Sequence, residues 1–262
     1  MLGDTVRHDY SHQAARYDRS RGVSADVLSA VLEALGQARG RRLLDIGGGT
    51  GNYAVALRRH GWAPTIVDVS PYMRAQAEKK GVPTIGGDAT RLPVADRSRD
   101  AVTMISMLHQ VGDWRRALAE ARRVLRPGGH LAVVLLATEH LREVTWAYDL
   151  FPSMRAFALP HRPALSEINA ELPNASTTPI WFSDLADASI GALCAHPEAM
   201  LDRSYRRQTS FFERLERDHP DELAVGLQTL RRRLETDRRP ERERAAARER
   251  LGDASAISWT AT

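Results

Sequence analysis

The chain has 262 residues, 43% of them hydrophobic and 27% charged, with one cysteine and a net charge of +4. Such a length buries a full core without disulfides or metals, the composition excludes disordered and collagen-like classes, and the lone Cys194 excludes an intramolecular disulfide or a multi-cysteine metal site. The longest strongly apolar run, Leu131 to Ala137, is far short of the roughly 20 residues that cross a bilayer, and the opening stretch MLGDTVRHDYSHQAARYD has no apolar run behind its charges, which predicts no secretory signal and a cytoplasmic chain.

Apolar periodicity then orders the chain. Ser24 is placed to cap a helix whose Val27, Leu28, Val31, Leu32 and Leu35 share one face, with Gly36 and Gly40 punctuating its end. Four short apolar runs follow, at 42–46, 65–69, 101–105 and 131–136, separated by helical patterns, with a weaker strand at 83–85. Short β-branched runs alternating with helices predict a parallel sheet covered on both faces. One intervening helix is well marked: Trp114, Ala117, Leu118, Ala121, Val124 and Leu125 form a stripe ahead of a Pro127-Gly128-Gly129 turn.

Past Thr138 the pattern changes. Residues 139–162 read as aromatic and irregular, 163–172 as a short helix, 176–182 as a strand and 183–252 as entirely helical, with Leu223, Leu227, Leu230 and Leu234 at helical spacing. Residues 256–261 alternate like a closing strand. The expected architecture is a single α/β domain over 1–262: a doubly wound, mostly parallel seven-stranded sheet, with 1–137 as its core, helical lid segments at 139–162 and 183–252, and a closing strand at 255–262.

Charge is unevenly spread. Residues 1–202 hold 23 basic and 22 acidic side chains, whereas 203–250 hold 14 and 10. Arginines from Arg231 to Arg250 are interleaved with Glu235, Asp237, Glu241, Glu243 and Glu249 and have no aromatic residue among them to stack a base, so this stretch reads as a solvated, salt-bridged helix face and not as a nucleic-acid surface.

The informative segment is Leu43-Leu-Asp-Ile-Gly-Gly-Gly-Thr-Gly51. A strand enters a loop with glycines at 47, 49 and 51, and a helix follows, which lets backbone approach a ligand and favours an anionic group at the helix start. The spacing is D-x-G-x-G-x-G, and the sixth position of a dinucleotide fingerprint counted from Gly47 is Asn52, so that motif fails. Asp45 caps the turn or touches a ligand. Asp68 ends the second strand, where a carboxylate can accept two ribose hydroxyls. Asp88 follows the third strand and could accept from an exocyclic amine. All three fall on the carboxyl edge of the sheet, where open α/β sheets bind ligands.

These segments, with Val67-Asp-Val-Ser70, Gly87-Asp-Ala89, Asp100-Ala-Val102 and Arg123-Val-Leu-Arg-Pro-Gly-Gly129, resemble the successive motifs of class I S-adenosylmethionine-dependent methyltransferases, in the small-molecule branch called methyltransferase type 11. The resemblance covers about residues 10–137. It implies that the Gly47, Gly49 and Gly51 loop holds the methionine part of the cofactor, that Asp68 with Val69 and Met73 holds the ribose, and that Asp88 with Ala89 holds the adenine. It also implies that Tyr17 and Arg21, in a Y-D-x-x-R entry helix, close over the cofactor, and that Ser106 and His109 face the methyl group. His109 is then a general base or a packing residue, and Tyr10, His109, Trp146 and Tyr148 would line the acceptor pocket. The implied reaction moves a methyl group to an O, N or C atom of a small molecule, such as a secondary metabolite, and leaves S-adenosylhomocysteine. The alternatives are an RNA-modifying enzyme and a cofactor-binding protein that does not methylate. No metal and no membrane partner is expected. The family's short hairpin between its last two strands is replaced here by a long helical stretch.

Overall fold

The computed structural model describes residues 22–38 and 40–262; Tyr10, Tyr17 and Arg21 lie outside them. Helix α1 (Ala25–Leu35) begins at Ser24, whose hydroxyl accepts from the Val27 amide, and stops at Gly36, in the left-handed region at φ 50°. There follow β1 (Arg42–Ile46), α2 (Asn52–Arg59), β2 (Ala63–Asp68), α3 (Pro71–Lys79), β3 (Thr84–Gly86), β4 (Arg99–Ile105), α4 (Trp114–Val124) and β5 (Leu125–Leu135). Beyond them lie α5 (Pro152–Ala158), α6 (Leu165–Glu171), β6 (Ser176–Ile180), α7 (Ile190–Ala195), α8 (Pro197–Leu201), α9 (Ser210–Asp218), α10 (Pro220–Glu235), α11 (Ala245–Leu251) and β7 (Ala254–Thr260).

The strands form one seven-stranded sheet in the order β3-β2-β1-β4-β5-β7-β6. Strands β1 to β5 pair in parallel, while β7 runs antiparallel between β5 and β6. The order reverses between β1 and β4, so a crevice opens there at the carboxyl edge. Successive strand residues point to opposite faces, and the core divides accordingly. Leu43, Ala101, Ala132, Val134 and Ala256 pack with Val27, Val31 and Leu35 of α1. Leu44, Val102, Met104, Val133 and Ile257 pack with Ala117, Leu118, Ala121 and Val124 of α4.

Strand bounds shift by one to two residues, β6 ending at Ile180 and β7 spanning Ala254–Thr260, and three larger features differ from the sequence reading. Helix α4 ends at Val124, and Leu125 opens β5, because the Pro127-Gly128-Gly129 segment is an irregularity inside the strand: Arg99 pairs with Leu125, but Ala101 pairs with His130. The extra residues bulge out of the ladder, with Gly128 at φ 76°. Residues 139–162 are short helical pieces rather than irregular chain, among them Ala147–Leu150 and α5, the latter opened by Pro152. Residues 183–189 are not helical. The Asp26 carboxylate accepts from the Ser183 amide (2.7 Å) and hydroxyl (2.8 Å), Asp184 accepts from the Ala25 amide, and the Gly22 amide donates to the Ala186 carbonyl. These bonds satisfy the backbone outside a helix and clamp the loop after β6 to the start of α1.

The helical segments on either side of β6 share one aromatic core. Phe151 makes edge contacts with Phe211 and Phe212, and Tyr148 with Phe211. Gly226 of α10 sits directly against Phe151; a Cβ at that position would lie 2.2 Å from the ring. Leu230 of the leucine stripe is fully buried. Arg248 and the buried Asp253 form a two-point ion pair at 2.6 and 2.8 Å just ahead of β7, and Asp253 also accepts from the Phe182 amide, joining α11 to both closing strands. Other arginines of this region also pair with acids, Arg233 with Glu243, Arg242 with Asp237 and Arg250 with Glu143, in keeping with the interleaved charge pattern.

Candidate cofactor site

The first side of the site is the loop between β1 and α2. Gly47, Gly49 and Gly51 all have positive φ, at 68°, 56° and 81°, a region that L side chains rarely enter. The Gly47 amide is tied to the Val67 carbonyl of β2, which fixes the start of the loop to the neighbouring strand. A Cβ at Gly47 would approach Met107 to 3.0 Å, whereas one at Gly49 would meet no heavy atom within 4 Å. Backbone is therefore exposed at Gly49 to whatever lies on the loop.

Asp68 forms the second side. Its Oδ2 accepts from the Gly49 amide at 3.0 Å, and its Oδ1 accepts from the Ser70 amide at 2.8 Å. Each carboxylate oxygen has a second lone pair, so the side chain braces the loop and still has acceptor capacity toward the crevice. Burial pushes its pKa up, opposed by those two amides and by Arg74, whose guanidinium donates to the Asp68 carbonyl. Val69 is 54% exposed beside it, an apolar surface suited to a flat ring. Met73 is buried, and its amide donates to the Ser70 hydroxyl that caps α3.

The third strand brings Asp88 and Ala89 to the same edge. Asp88 is exposed, its Oδ1 accepting from the amide and hydroxyl of Thr90, both at 2.8 Å; Ala89 is buried. At the end of β4, Ser106 holds φ 52°, a conformation that costs a non-glycine residue about 1–3 kcal/mol, and its amide donates to the Val134 carbonyl of β5. His109 follows, half-buried, in the turn Leu108–Gln110.

Asp45 is not at the surface of this site. It is 1% exposed, and its Oδ1 accepts from the Thr103 hydroxyl at 2.7 Å, the two residues being register partners on β1 and β4. Its Oδ2 lies 2.4 Å from where a Gly48 Cβ would stand, so it supports the loop from beneath. Burial is the main cause that raises its pKa to about 7, aided by Asp68 and opposed by Thr103. The folded state therefore holds a proton that the unfolded chain has lost, and stability contributed by Asp45 falls as pH climbs from its unfolded value toward 7. We expect Asp45→Asn, which keeps the acceptor to Thr103, to gain about 2–3 kcal/mol relative to the parent between pH 5 and pH 8, read from urea melts at both pH values; parallel pH profiles would show that Asp45 is ionised throughout.

Trp146 and Tyr148 are placed in the core. Trp146 is 3% exposed, with its indole N–H given to the Cys194 carbonyl at 2.9 Å, and Tyr148 is 1% exposed against Phe211. The sequence reading did not single out Thr50, Thr103 or Lys80. Thr50 is buried and its hydroxyl has no hydrogen-bond partner among the described residues. The Lys80 ammonium donates to the Thr50 carbonyl and the Asn52 side chain, holding the start of α2. A polar residue inside the apolar run at 101–105 was the available signal for Thr103; nothing in the pattern pointed to Lys80.

These residues fit S-adenosylmethionine. A backbone cradle open at Gly49, an orphaned donor at Thr50, a strand-end carboxylate with spare acceptor capacity and an apolar surface at Val69 match an amino acid, a ribose and a purine laid in that order along the edge. Comparison with known proteins agrees. Residues 44–133 match the family described as Methyltransferase domain, of type 11. The chain is 36% identical over 186 residues to a demethylmenaquinone methyltransferase of Mycolicibacterium paratuberculosis, covering 68% of this chain and 80% of that protein. It is also 36% identical over 157 residues to a ubiquinone/menaquinone biosynthesis C-methyltransferase of Paracoccus denitrificans, spanning 54% of this chain and 63% of that one. A solved Anabaena variabilis structure, provisionally described as a methyltransferase from an antibiotic biosynthesis pathway, superposes with a TM-score of 0.74 at 26% identity over 93% of this chain and all of that one. A Haemonchus contortus phosphoethanolamine N-methyltransferase with S-adenosylmethionine bound shares the fold, with a TM-score of 0.59 at 16% identity, over 97% of this chain and 58% of its own. Ordered motifs, sheet order, cradle geometry and relatives converge: the chain belongs to the class I S-adenosylmethionine-dependent methyltransferases.

Proposed function

We propose that the chain methylates a small organic molecule held over the carboxyl ends of β4 and β5, beneath the helical pieces within 139–162 and 190–251. The observation that supports this reading is that the Gly47–Gly51 loop, Asp68, and Ser106 with His109 follow the carboxyl ends of β1, β2 and β4, on one edge of the sheet, while the aromatic core of those helical segments packs with Val134 and Leu136 at the end of β5. Relatives named for quinone C-methylation and a structural neighbour named for antibiotic biosynthesis both support a small-molecule acceptor.

Bound cofactor supplies an activated methyl group on a sulfonium. The protein's share is alignment and exclusion of water: the glycine loop and Asp68 fix the donor, while Ser106 and His109 face the acceptor. Positioning of this kind supplies about 7–11 kcal/mol of barrier reduction. His109 takes the acceptor's proton where the nucleophile arrives protonated, a role that contributes roughly 100-fold or more.

Labelled-methyl transfer into a fractionated metabolite extract tests the reading: transfer to a low-molecular-weight fraction is expected, and label confined to RNA would replace it. With the acceptor in hand, His109→Ala should lower turnover about 100-fold at saturating cofactor with affinity for S-adenosylhomocysteine unchanged. Parental turnover would reduce His109 to packing.

A further inference from the structure

Arg162 stands at the end of the turn Leu159–His161, just before α6. Its Nη1 donates to the carbonyl of Leu136, the residue directly after β5, at 3.1 Å, and its own carbonyl accepts from the Thr138 hydroxyl at 2.8 Å. The Thr138 amide is bonded in turn to the Pro163 carbonyl. These contacts fix the guanidinium at the carboxyl edge of the sheet, next to the exit of β4, whose Ser106 is bonded to Val134.

Arg123 pairs with Glu120 and Asp96, Arg239 with Glu198 and Glu241, and Arg248 with Asp253; the half-buried Arg99 and Arg206 make no ion pair among the described residues, but each feels a nearby carboxylate, Asp100 for the first and Glu216 and Asp202 for the second. Arg162 is half-buried and has no carboxylate partner among the described residues, and its Nε and Nη2 donate to no protein acceptor there. The ionisable groups that feel its charge include Tyr148 and His140, both buried and both outside the carboxylate class. Removing a guanidinium from water without a counter-charge is costly, and the unused Nε–Nη2 edge is the face that grips both oxygens of a carboxylate.

We propose that Arg162 is the anchor for a carboxylate on the methyl acceptor, which makes the substrate an organic acid. This rests on the acceptor site lying over β4 and β5, as argued above. Strands β1 and β5 are two spacings apart, about 10 Å, so an acid of one or two rings seated on Arg162 reaches back toward the glycine loop and the turn that holds His109. Arg162 is thus a specificity residue.

Fluorescence titration with 2-naphthoate and its neutral isostere 2-naphthamide tests this, on the parent, Arg162→Gln and Arg162→Lys, with and without saturating S-adenosylhomocysteine. The parent should bind the acid at least tenfold tighter than the amide. Arg162→Gln should erase that preference, Arg162→Lys should keep part of it, and calorimetry should give the same S-adenosylhomocysteine affinity for all three. A parent that does not distinguish acid from amide, or a preference that survives Arg162→Gln, overturns the proposal. Should Arg162→Gln not fold, Arg162→Lys decides, because it keeps the charge and loses the fork: an undiminished preference overturns the carboxylate grip. A parent that binds 2-naphthoate selectively yet fails to bind S-adenosylhomocysteine would sink the methyl-transfer reading and leave the acid site standing.

Discussion

Gly49→Val is expected to weaken S-adenosylhomocysteine binding by 100-fold or more while the protein still folds. Gly49 holds φ 56°, and a Cβ there meets no heavy atom within 4 Å, so no protein contact is crushed by the new side chain. The backbone cost of placing an L residue in the left-handed region is about 1–2 kcal/mol, a fraction of the stability of a domain this size. What the isopropyl group does occupy is the open space over the loop, which the proposed site gives to the methionine part of the cofactor. Gly61 provides the control: it also has positive φ and open surroundings, but it lies in the turn between α2 and β2, at the opposite edge of the sheet. Gly61→Val should therefore carry a similar strain with no loss of affinity. Gly51→Val should differ from both, because its Cβ would come within 3.2 Å of Ala77 and Ile66 and would cost stability as well as binding. Calorimetric affinity of the Gly49 variant equal to that of the parent would show that the cofactor does not lie on this loop.

Much of the fold was legible because its strands are short apolar runs between well-marked helices. Ser24, Gly36 and the Trp114–Val124 stripe set boundaries that the structure places within a residue of expectation. The reading failed where tertiary contacts decide local structure. No local signal distinguishes 183–189 from the helices after it, since its loop conformation depends on Asp26, far away in sequence. Leu125 fits the helical stripe by spacing, yet belongs to β5 because its partner Arg99 lies across the sheet.

The site was legible to a different degree. Its glycines and strand-end acids follow successive strands, and spacing alone puts them on the carboxyl edge of the sheet, where the structure also has them. Asp45 was identified, but its task was not: only the β1–β4 register reveals Thr103 as its partner, and only burial accounts for its raised pKa. Trp146 and Tyr148 are aromatic and follow β5, a property that pocket and core residues share equally, and burial puts both in the core. Arg162 carried no sequence signal, since an arginine among many is informative only once its missing counter-charge is visible.

Asp68→Ala is expected to lower cofactor affinity about 100-fold, and two separable effects contribute. Loss of the carboxylate frees the Gly49 and Ser70 amides, so the loop that Asp68 braces becomes less ordered and binding must restore that order. Loss of its remaining lone pairs removes acceptors for the ribose hydroxyls, and hydrogen bonds to a charged group contribute roughly 1.5–3 kcal/mol each. Asp68→Asn does not rescue binding well, because the amide nitrogen would confront one of the two backbone N–H groups as a second donor. The two effects are separated with the 2′-deoxyribose analogue of S-adenosylhomocysteine, in the logic of a double-mutant cycle. If Asp68 holds the ribose, the parent discriminates against the deoxy analogue by at least tenfold and Asp68→Ala does not. If Asp68 only braces the loop, both proteins discriminate equally, and the ribose contact must be assigned to another residue on the same edge. Thermal unfolding completes the distinction: the brace contributes to the fold without ligand, so Asp68→Ala should melt a few degrees below the parent even in the apo state, whereas a side chain that served the ribose alone would leave the apo melting temperature unchanged.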